Sequence, residues 1–299
     1  MSNTTQHPLP EVYQSYLEYA DLTAVTRHKQ MKAVKALLWK LHTYLEKKEF
    51  ALENLNIDHI DAFLAEVNAS CVLSTRRLKR SYLRGFLHYL YHQRGILRRD
   101  LAPLVVGPPE FGQSKPPRFL RQEEIKRLFE TVQLSTALEI RTYAILHLAY
   151  TLGLRPQEIG SITLDDISFS QGRLSLKRRK ANNSMVVPLP EPTLKAIVTY
   201  IIGARPSSVQ RALFLNSKKP YTPVNSTTVS RDIRRLMKKA DLEATAYWLR
   251  HTYAQNILEN GGSIFEVKEM LGHDHIESSK KYLHIHIKMM REVLFNETL

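Results

Sequence analysis

Apolar side chains recur at three- and four-residue spacing through most of the first hundred residues, which is the pattern of amphipathic helices. The longest such stretch predicts a helix with apolar positions at Met31, Val34, Leu37, Leu38, Leu41 and Leu45. A shorter helix precedes it, a third begins near Asp58, and a fourth begins at Ser74 or Thr75. The side chains of these three residues can each cap the start of a helix. Helices with such short connections favour a four-helix bundle.

The fourth predicted helix combines an apolar face with a strongly basic beginning. Its apolar positions are Leu78, Tyr82, Leu83, Phe86, Leu87, Leu90 and Tyr91. Its first turns carry Arg76, Arg77, Lys79, Arg80 and Arg84. Because the N-terminal end of a helix also attracts anions, this cluster predicts contacts with DNA phosphates. The alternative is a charged face that only keeps the protein in solution.

The pattern changes after the bundle. Between Pro103 and Pro117 proline and glycine are frequent and no apolar period is present, so we expect a linker between two domains. We place a helical domain at residues 1–106, the linker at 107–118 and a second domain at 119–299. Each domain is long enough to bury its own core.

The second domain alternates helical segments with short runs that are typical of β-strands. Three runs are β-capable, at residues 162–167, 173–176 and 185–189, and the last two flank a basic hairpin tip at 177–184. The remaining segments predict helices. The last of these is an amphipathic tail with apolar residues at Ile287, Met290, Val293 and Leu294. The sequence therefore predicts a mostly α-helical protein with a small β-sheet.

The composition narrows the class of protein. Of 299 residues, 43 are Lys or Arg and 29 are Asp or Glu, and the net charge of +14 favours binding to nucleic acid. No apolar run approaches the ~20 residues that span a bilayer, and the polar N-terminus lacks the pattern of a secretory signal. Cys71 is the only cysteine, which excludes an internal disulfide and a zinc site of several thiolates. We therefore expect a cytoplasmic, nucleoid-associated protein without a membrane partner.

Four short strings in the second domain carry the candidate chemistry. They are Gly153-Leu154-Arg155-Pro156-Gln157-Glu158-Ile159, Lys180 in the hairpin, Leu249-Arg250-His251-Thr252, and Leu271-Gly272-His273 followed nine positions later by Tyr282. Two arginines can each grip a phosphate through a bidentate fork, lysine and histidine can move protons, and tyrosine can act as a nucleophile. This set suits transesterification at a phosphodiester with positive side chains in place of a divalent ion, so we expect no metal and no cofactor.

Histidines near the C-terminus offer a competing interpretation. Two His-x-His pairs, His273 with His275 and His284 with His286, lie close enough in sequence to suggest a metal site. They lack a nearby set of carboxylates or thiolates at metal-site spacing, so the interpretation without a metal is favoured.

In their order and spacing, the four strings resemble the tyrosine recombinases of the lambda-integrase-like phage integrase family, especially its small Xer-like and transposon-integrase members. The resemblance covers nearly the whole chain. It implies an N-terminal four-helix core-binding domain of the SAM-like type and a C-terminal α+β catalytic domain with a small β-hairpin sheet. It also implies a double-stranded DNA recombination site as partner, and a homotetramer in the synaptic complex that forms through the C-terminal tail.

The resemblance further implies a role for each matching residue. Arg155 and Arg250 grip the scissile phosphate, and Glu158 supports both of them. Lys180 protonates the leaving 5′ oxygen, with Lys177 as its rival for that role. These assignments depend on the position of each residue within its motif.

Tyr282 matches the nucleophile of the family, which forms a 3′-phosphotyrosyl bond, and His273 matches the histidine of the Leu-Gly-His motif. One position departs from the family pattern, because Tyr247 stands where the first histidine of the His-x-x-Arg-His string is usual. A phenol donates one hydrogen bond, but it does not carry positive charge or exchange protons near neutral pH as imidazole does. We expect activity to be retained at some cost.

The resulting prediction is a site-specific DNA recombinase, which cuts and rejoins strands through a phosphotyrosyl intermediate and a Holliday junction and serves a chromosome or a mobile element. Two alternatives stay open. One is a non-catalytic DNA-binding or regulatory protein on the same scaffold, and the other is a topoisomerase IB-like enzyme. In the hairpin, further DNA contacts are predicted at Lys177, Arg178 and Arg179.

Overall fold

The computed structural model describes residues 9–23, 30–107, 117–177, 184–272 and Tyr282. Within these residues the chain is mostly helical and has one small antiparallel sheet, which confirms the predicted fold class. The chain divides after Gly112 into two compact units, and each unit has its own apolar core.

The N-terminal unit contains four α-helices in its described part. They are α1 (Glu11–Leu22), α2 (Met31–Lys48), α3 (Ile57–Asn68) and α4 (Leu73–His92). A short 3-10 turn at Ala102–Leu104 follows them. The predicted apolar face of α2 is buried from Val34 to Leu45, so the spacing of its apolar residues matches the side that packs into the core.

Two helices of this unit begin differently from the prediction. α3 is capped by Asn56, whose side-chain oxygen accepts a hydrogen bond from the His59 N–H at 2.9 Å, whereas Asp58 lies inside the first turn. Asn56 takes this position because its backbone is extended, as a cap requires. α4 begins at Leu73, before the predicted Ser74, and its first turn has no side-chain cap.

The apolar face of α4 is shorter than the sequence predicts. Leu78 is 47% exposed and Tyr91 is 36% exposed, although the helical period places both on the apolar face. The buried residues of α4 begin only at Leu83, so the helical period continues beyond the region where neighbours cover it. At the other end Tyr89, rather than Tyr91, is buried and packs against the ring of Tyr16.

The C-terminal unit adds seven α-helices and three short strands in its described part. The helices are α5 (Gln122–Glu130), α6 (Ala137–Thr151), α7 (Pro156–Ser161), α8 (Glu191–Gly203), α9 (Ser226–Lys239), α10 (Ala246–Glu259) and α11 (Ile264–Leu271). The strands are β1 (Ile167–Ser168), β2 (Arg173–Leu176) and β3 (Met185–Pro188). The sheet has the order β1-β2-β3, and both neighbouring pairs are antiparallel.

The central strand fixes the buried face of this sheet. Leu174 pairs with Ile167 on one side and with Val187 on the other, and all three side chains are buried. Strands β2 and β3 flank the basic hairpin tip, of which residues 178–183 lie outside the described residues. The hairpin strands therefore lie close to where alternation of apolar residues predicts them.

The first β-capable run is mostly not a strand. Asp166 accepts hydrogen bonds from the N–H of Thr163 at 2.9 Å and from its hydroxyl at 2.7 Å. These bonds close a 3-10 turn at Leu164–Asp166, which occupies half of the run predicted at 162–167. Only Ile167 of that run joins the sheet, because the local side-chain bonds of Asp166 compete with strand pairing.

The core of the C-terminal unit surrounds α6, which packs against α8, α9 and α10. A buried ion pair joins α6 to α9, since Arg141 Nη2 lies 2.6 Å from Asp232 Oδ2. Arg141 Nη1 also donates to the carbonyl oxygen of Leu215 at 2.7 Å. Removal of one partner would leave a buried charge without compensation, so this pair holds the position of α9.

A buried histidine on α6 makes the fold sensitive to acid. His147 packs among the rings of Phe129 and Tyr143, and neither ring nitrogen has a hydrogen-bond partner in the described structure. Burial lowers the pKa of His147 from 6.5 to about 4. The unfolded chain therefore binds a proton below pH 6.5 that the folded protein accepts only near pH 4. The free energy of unfolding consequently falls as the pH is lowered from 6.5 to 4.

We expect His147→Leu to remove this part of the acid dependence. Between neutral pH and pH 4, the free energy of unfolding of the wild type should fall by about 3 kcal/mol more than that of the variant. Urea denaturation at a series of pH values measures both proteins. A parallel decline in wild type and variant would mean that the imidazole has the same pKa in the folded and the unfolded protein.

Candidate active site

A buried glutamate joins the two arginines of the candidate site. Glu158 Oε1 accepts a hydrogen bond from Arg155 Nη1 at 2.8 Å, and Glu158 Oε2 lies 3.7 Å from Arg250 Nη1. Glu158 Oε2 also accepts from the backbone N–H of Arg155 at 2.7 Å, which fixes the carboxylate at the start of α7. Arg250 and Glu158 are both buried, so their attraction acts in a medium of low dielectric constant.

The turn before α7 places Arg155 beside α10. Pro156 is the first residue of α7, where the missing N–H of proline costs no hydrogen bond. Gly153 has a φ of +60°, and a Cβ atom on it would lie 2.5 Å from a ring carbon of Tyr253. Glycine is therefore required here both by the backbone conformation and by the close approach of α10.

Both arginines also donate to backbone carbonyls at the end of α11. Arg155 Nη2 donates to the Gly272 carbonyl at 3.2 Å, and Arg250 Nη2 donates to the Leu271 carbonyl. On its other side, Arg250 Nη1 donates to the Gly153 carbonyl at 2.6 Å. The two guanidinium groups thus join three segments at one point. These segments are α10, the end of α11 and the turn that precedes α7.

The hydroxyl of Tyr282 lies within electrostatic reach of the two arginines. The Tyr282 side chain is fully buried, and it packs in a small apolar cluster with Ala254, Leu258, Val267 and Leu271. Burial raises the pKa of Tyr282 to about 12, although the positive charges of Arg250 and Arg155 act to lower it. The phenol is therefore protonated at neutral pH, and both arginines act on it electrostatically.

His251 is a site residue for which no role was predicted from the sequence. Its Nδ1 atom lies 2.6 Å from the Tyr282 hydroxyl, and the Nε2-protonated tautomer lets Nδ1 accept that hydrogen bond. The signal was present, because His251 directly follows Arg250 in the Leu-Arg-His-Thr string. The sequence does not show, however, that this histidine meets a tyrosine 31 residues later.

The geometry brings a hydroxyl, an imidazole and two guanidinium groups together. A protonated phenol needs a proton acceptor when it attacks, and His251 Nδ1 is within hydrogen-bond distance of it. Arg155 keeps 19% of its side chain exposed, against 4% for Arg250, so Arg155 is the more accessible of the two to a phosphate from solution. This arrangement suits attack on a phosphodiester.

The remaining predicted catalytic residues divide between exposed positions and residues outside the described range. Tyr247, the second residue of α10, is 53% exposed. Lys177 Nζ pairs with Asp166 Oδ1 at 3.0 Å, which ties it to the turn before β1. Outside the described residues lie Arg178, Arg179, Lys180, His273 and the tail at 283–299.

The basic residues of α4 are only partly available to DNA. Arg76 Nε donates to the carbonyl of Cys71 at 2.8 Å, and Lys79 Nζ lies 3.0 Å from Cys71 Sγ, so both hold the loop before α4. Arg80 is half-buried. The exposed members of the predicted cluster are Arg77 and Arg84.

A second basic surface lies on α9, at residues for which no function was predicted from the sequence. Its exposed residues are Arg231, Arg234, Arg235, Lys238 and Lys239. The first four line an open cavity together with the segment that leads to α10. The signal was the spacing of these residues, which places basic side chains on one face of a helix whose other face is buried.

Among the residues that the structure describes, one group of three histidine or carboxylate side chains is close enough to hold a metal ion. It consists of His88, His92 and Asp100, all in the N-terminal unit. The candidate active site has no such group in its described part. No described helix has both the length and the hydropathy that are needed to cross a bilayer.

Comparison with known proteins matches this site to one family. Residues 118–289 match the phage integrase family. The Sinorhizobium fredii protein y4rF, an integrase/recombinase by name, is 32% identical over 248 residues, which cover 81% of this chain and 58% of y4rF. Tyrosine recombinase XerC of Lactobacillus delbrueckii subsp. bulgaricus is 27% identical over 289 residues, which cover 93% of this chain and 94% of XerC. The chain thus spans less than two thirds of y4rF but nearly all of XerC.

Solved structures share the fold. XerH site-specific recombinase bound to a palindromic difH substrate has a TM-score of 0.75 at 18% identity, and the match covers 96% of this chain and 85% of XerH. A lambda integrase tetramer bound to a Holliday junction has a TM-score of 0.68 at 17% identity, and the match covers 90% of this chain and 76% of that one. The family match extends over more than half of the chain, and the candidate site lies within it. The chain therefore belongs to the phage integrase family, the family of the tyrosine recombinases.

Proposed function

We propose that this protein is a site-specific DNA recombinase that cuts and rejoins strands through Tyr282. The observation that carries the proposal is the contact of Arg155 and Arg250 with one buried carboxylate, Glu158, next to the hydroxyl of Tyr282 and the Nδ1 atom of His251. A relative named tyrosine recombinase XerC and a structure of lambda integrase bound to DNA support it.

In the proposed reaction, the Tyr282 oxygen attacks the scissile phosphorus while the two guanidinium groups bind its nonbridging oxygens. A bond forms between the tyrosine oxygen and phosphorus, and the bond from phosphorus to the 5′ oxygen breaks. Lys180 gives a proton to the leaving oxygen, His273 hydrogen-bonds the phosphate, and the phenol loses its proton to a neighbouring base. The free 5′ hydroxyl of the other duplex then attacks the phosphotyrosine, which releases Tyr282 and builds a Holliday junction. No ATP is needed, because the phosphotyrosine conserves the energy of the broken phosphodiester bond.

The burial of Tyr282 adds a condition to this mechanism. Because Tyr282 has no exposed surface in the isolated chain, its hydroxyl reaches a phosphate in solution only after a displacement of Tyr282 or of the residues that cover it. We expect DNA to stabilise that displaced position, since the arginines bind the phosphate on which Tyr282 acts. Uncontrolled cleavage by the free protein is thereby disfavoured.

Covalent trapping distinguishes a recombinase from the two alternatives, a non-catalytic DNA-binding protein and a topoisomerase IB-like enzyme. The substrate is a duplex selected for binding from a random library and then nicked beside the cleavage position, so that the cut fragment diffuses away. A recombinase leaves a denaturation-resistant protein–DNA complex and, with two intact sites, exchanges strands. A non-catalytic DNA-binding protein leaves no complex, and a topoisomerase IB-like enzyme relaxes supercoils without exchanging partners.

Tyr247 is proposed to donate a hydrogen bond to the scissile phosphate. Its exposed position at the start of α10, three residues before Arg250, is compatible with that contact. We expect Tyr247→Phe to slow cleavage by about tenfold, the value of one neutral hydrogen bond, and Tyr247→His to preserve or raise the rate. Single-turnover cleavage of the nicked duplex measures both rates. Equal rates for Tyr247→Phe and wild type would make this a packing position.

The basic face of α9 is proposed as a DNA contact of the C-terminal unit. We expect Arg235→Ala to lower affinity about equally for selected and scrambled duplexes and to reduce the salt slope by about one. Fluorescence anisotropy over a range of salt concentrations measures this slope. Lys126→Ala is the matched control, because it removes one charge from an exposed residue of the same unit that already pairs with Glu130. An equal change in both variants would mean that the loss of affinity arises from net charge alone and not from a DNA contact of Arg235.

The two units and the C-terminal tail each have a proposed role on DNA. The N-terminal unit is assigned as the core-binding domain and the C-terminal unit as the catalytic domain, which together clamp one duplex. The amphipathic tail at 283–299 is assigned to contacts between protomers in a synaptic tetramer. A structural neighbour, lambda integrase, is a tetramer when it is bound to a Holliday junction. The protein is expected to act on nucleoid DNA in the cytoplasm.

A further inference from the structure

Two histidines and an aspartate of the N-terminal unit have no part in the proposed function. His88 and His92 lie one turn apart near the end of α4, and Asp100 lies just before the 3-10 turn at Ala102–Leu104. Asp100 Oδ2 lies 3.5 Å from His88 Nδ1 and 3.3 Å from His92 Nε2. The three ligand atoms all lie within 4.8 Å of one another.

The two distances to Asp100 match those between ligand atoms around one small ion. With bonds of about 2.0–2.15 Å at tetrahedral angles, two ligand atoms of a zinc ion lie about 3.3–3.5 Å apart. Both distances to Asp100 Oδ2 fall in this interval. An ion therefore fits between the three side chains after a small adjustment of the two imidazole rings.

The carboxylate of this group is held in place and ionised. Asp100 Oδ1 accepts the Ala102 N–H at 2.9 Å, which leaves Oδ2 directed at the histidines. Burial acts to raise the pKa of Asp100, but the Ala102 N–H and the two histidines outweigh it and hold that pKa below its ordinary value. A fixed carboxylate beside two imidazoles is a common donor set of transition-metal sites.

The two imidazoles are open to solvent. The side chains of His88 and His92 are 58% and 44% exposed, and their ring centroids lie 4.1 Å apart. An ion can therefore enter from solution, and a water molecule can complete its coordination. Neutral imidazole nitrogen favours zinc and its neighbours over magnesium and calcium, which prefer oxygen ligands.

We propose that His88 Nδ1, His92 Nε2 and Asp100 Oδ2 form a binding site for a divalent transition-metal ion of the zinc type. The site is separate from the candidate active site and does not depend on the proposed function. A bound ion joins the last turn of α4 to the segment that leads towards the linker, so it stabilises the N-terminal unit in its folded form. Without an ion, the same groups make hydrogen bonds with one another.

Zinc titration of the full-length protein tests the proposal. After chelator treatment, calorimetry with zinc chloride at mildly alkaline pH should show one equivalent bound by the wild type, and cobalt chloride should give the visible absorption of a low-symmetry Co²⁺ site. Asp100→Asn should weaken this binding by about 10- to 100-fold or more. Asparagine keeps an oxygen that accepts the Ala102 N–H, so the turn is preserved and a loss of binding reports on the ligand.

Two further variants locate the ion. His92→Ala should lose the same equivalent, and zinc should raise the melting temperature of the wild type but not of Asp100→Asn. His286→Ala removes a histidine of the C-terminal His-x-His pairs and should bind zinc as the wild type does. Equal zinc binding by wild type and Asp100→Asn, or loss of the equivalent only in His286→Ala, would overturn the proposal and leave the cluster as a hydrogen-bonded group.

Discussion

Tyr282→Phe is expected to abolish DNA cleavage while DNA binding stays close to that of the wild type. The substitution removes the oxygen that attacks phosphorus but leaves the ring that fills the apolar cluster of α10 and α11. Removal of a nucleophile typically lowers the rate of an enzyme by ~10⁴- to 10⁶-fold, so no covalent complex should accumulate. Trapping on the nicked duplex measures cleavage, and a mobility shift on the intact duplex measures binding.

Tyr200→Phe is the matched control for this experiment. Tyr200 is also buried in the C-terminal unit, and its hydroxyl accepts the Leu215 N–H at 3.1 Å. Its replacement therefore reports the general cost of removing a buried, hydrogen-bonded hydroxyl, and we expect cleavage to remain. A covalent complex that persists in Tyr282→Phe would assign the nucleophile to another residue, and a loss of binding in that variant would make Tyr282 a structural residue.

Arg155→Lys is expected to lower the cleavage rate by about 10²- to 10³-fold, the effect of losing one preorganised donor to a transition-state oxyanion. Its guanidinium already donates to Glu158 through Nη1 and to the Gly272 carbonyl through Nη2. A lysine has one nitrogen on a flexible stem, so it cannot hold both partners and bind a phosphate in a fixed orientation. Affinity for intact DNA should fall much less than the rate.

The control for this substitution is Arg141→Lys. Arg141 is a buried arginine of the same unit that likewise bonds a carboxylate, Asp232, and a backbone carbonyl. We expect Arg141→Lys to lower the melting temperature without a specific loss of cleavage by the molecules that remain folded. If Arg155→Lys lowers binding and cleavage by the same factor, Arg155 is a positioning contact to DNA and does not act on the transition state.

Much of the fold follows from local pattern. α2 buries the face that its apolar spacing predicts, because the face of a helix is determined by spacing along the chain. Strands β2 and β3 follow alternation in the same way. The predictions from pattern fail in two places. At residues 162–167 the 3-10 turn that Asp166 stabilises competes with strand pairing, and at Leu78 the apolar period of α4 extends beyond the core, so the side chain is exposed.

The sequence by itself also determined which residue types stand at the candidate site, since the strings around Arg155, Arg250 and Tyr282 are contiguous and their order is a property of the chain. Only the tertiary structure decided that Glu158 contacts both arginines and that His251 meets the hydroxyl of Tyr282. The same is true of the distances within the group of His88, His92 and Asp100. Spacing along the chain specifies which face of a helix a side chain occupies, whereas contacts between distant polar groups depend on which faces pack together and at what angle.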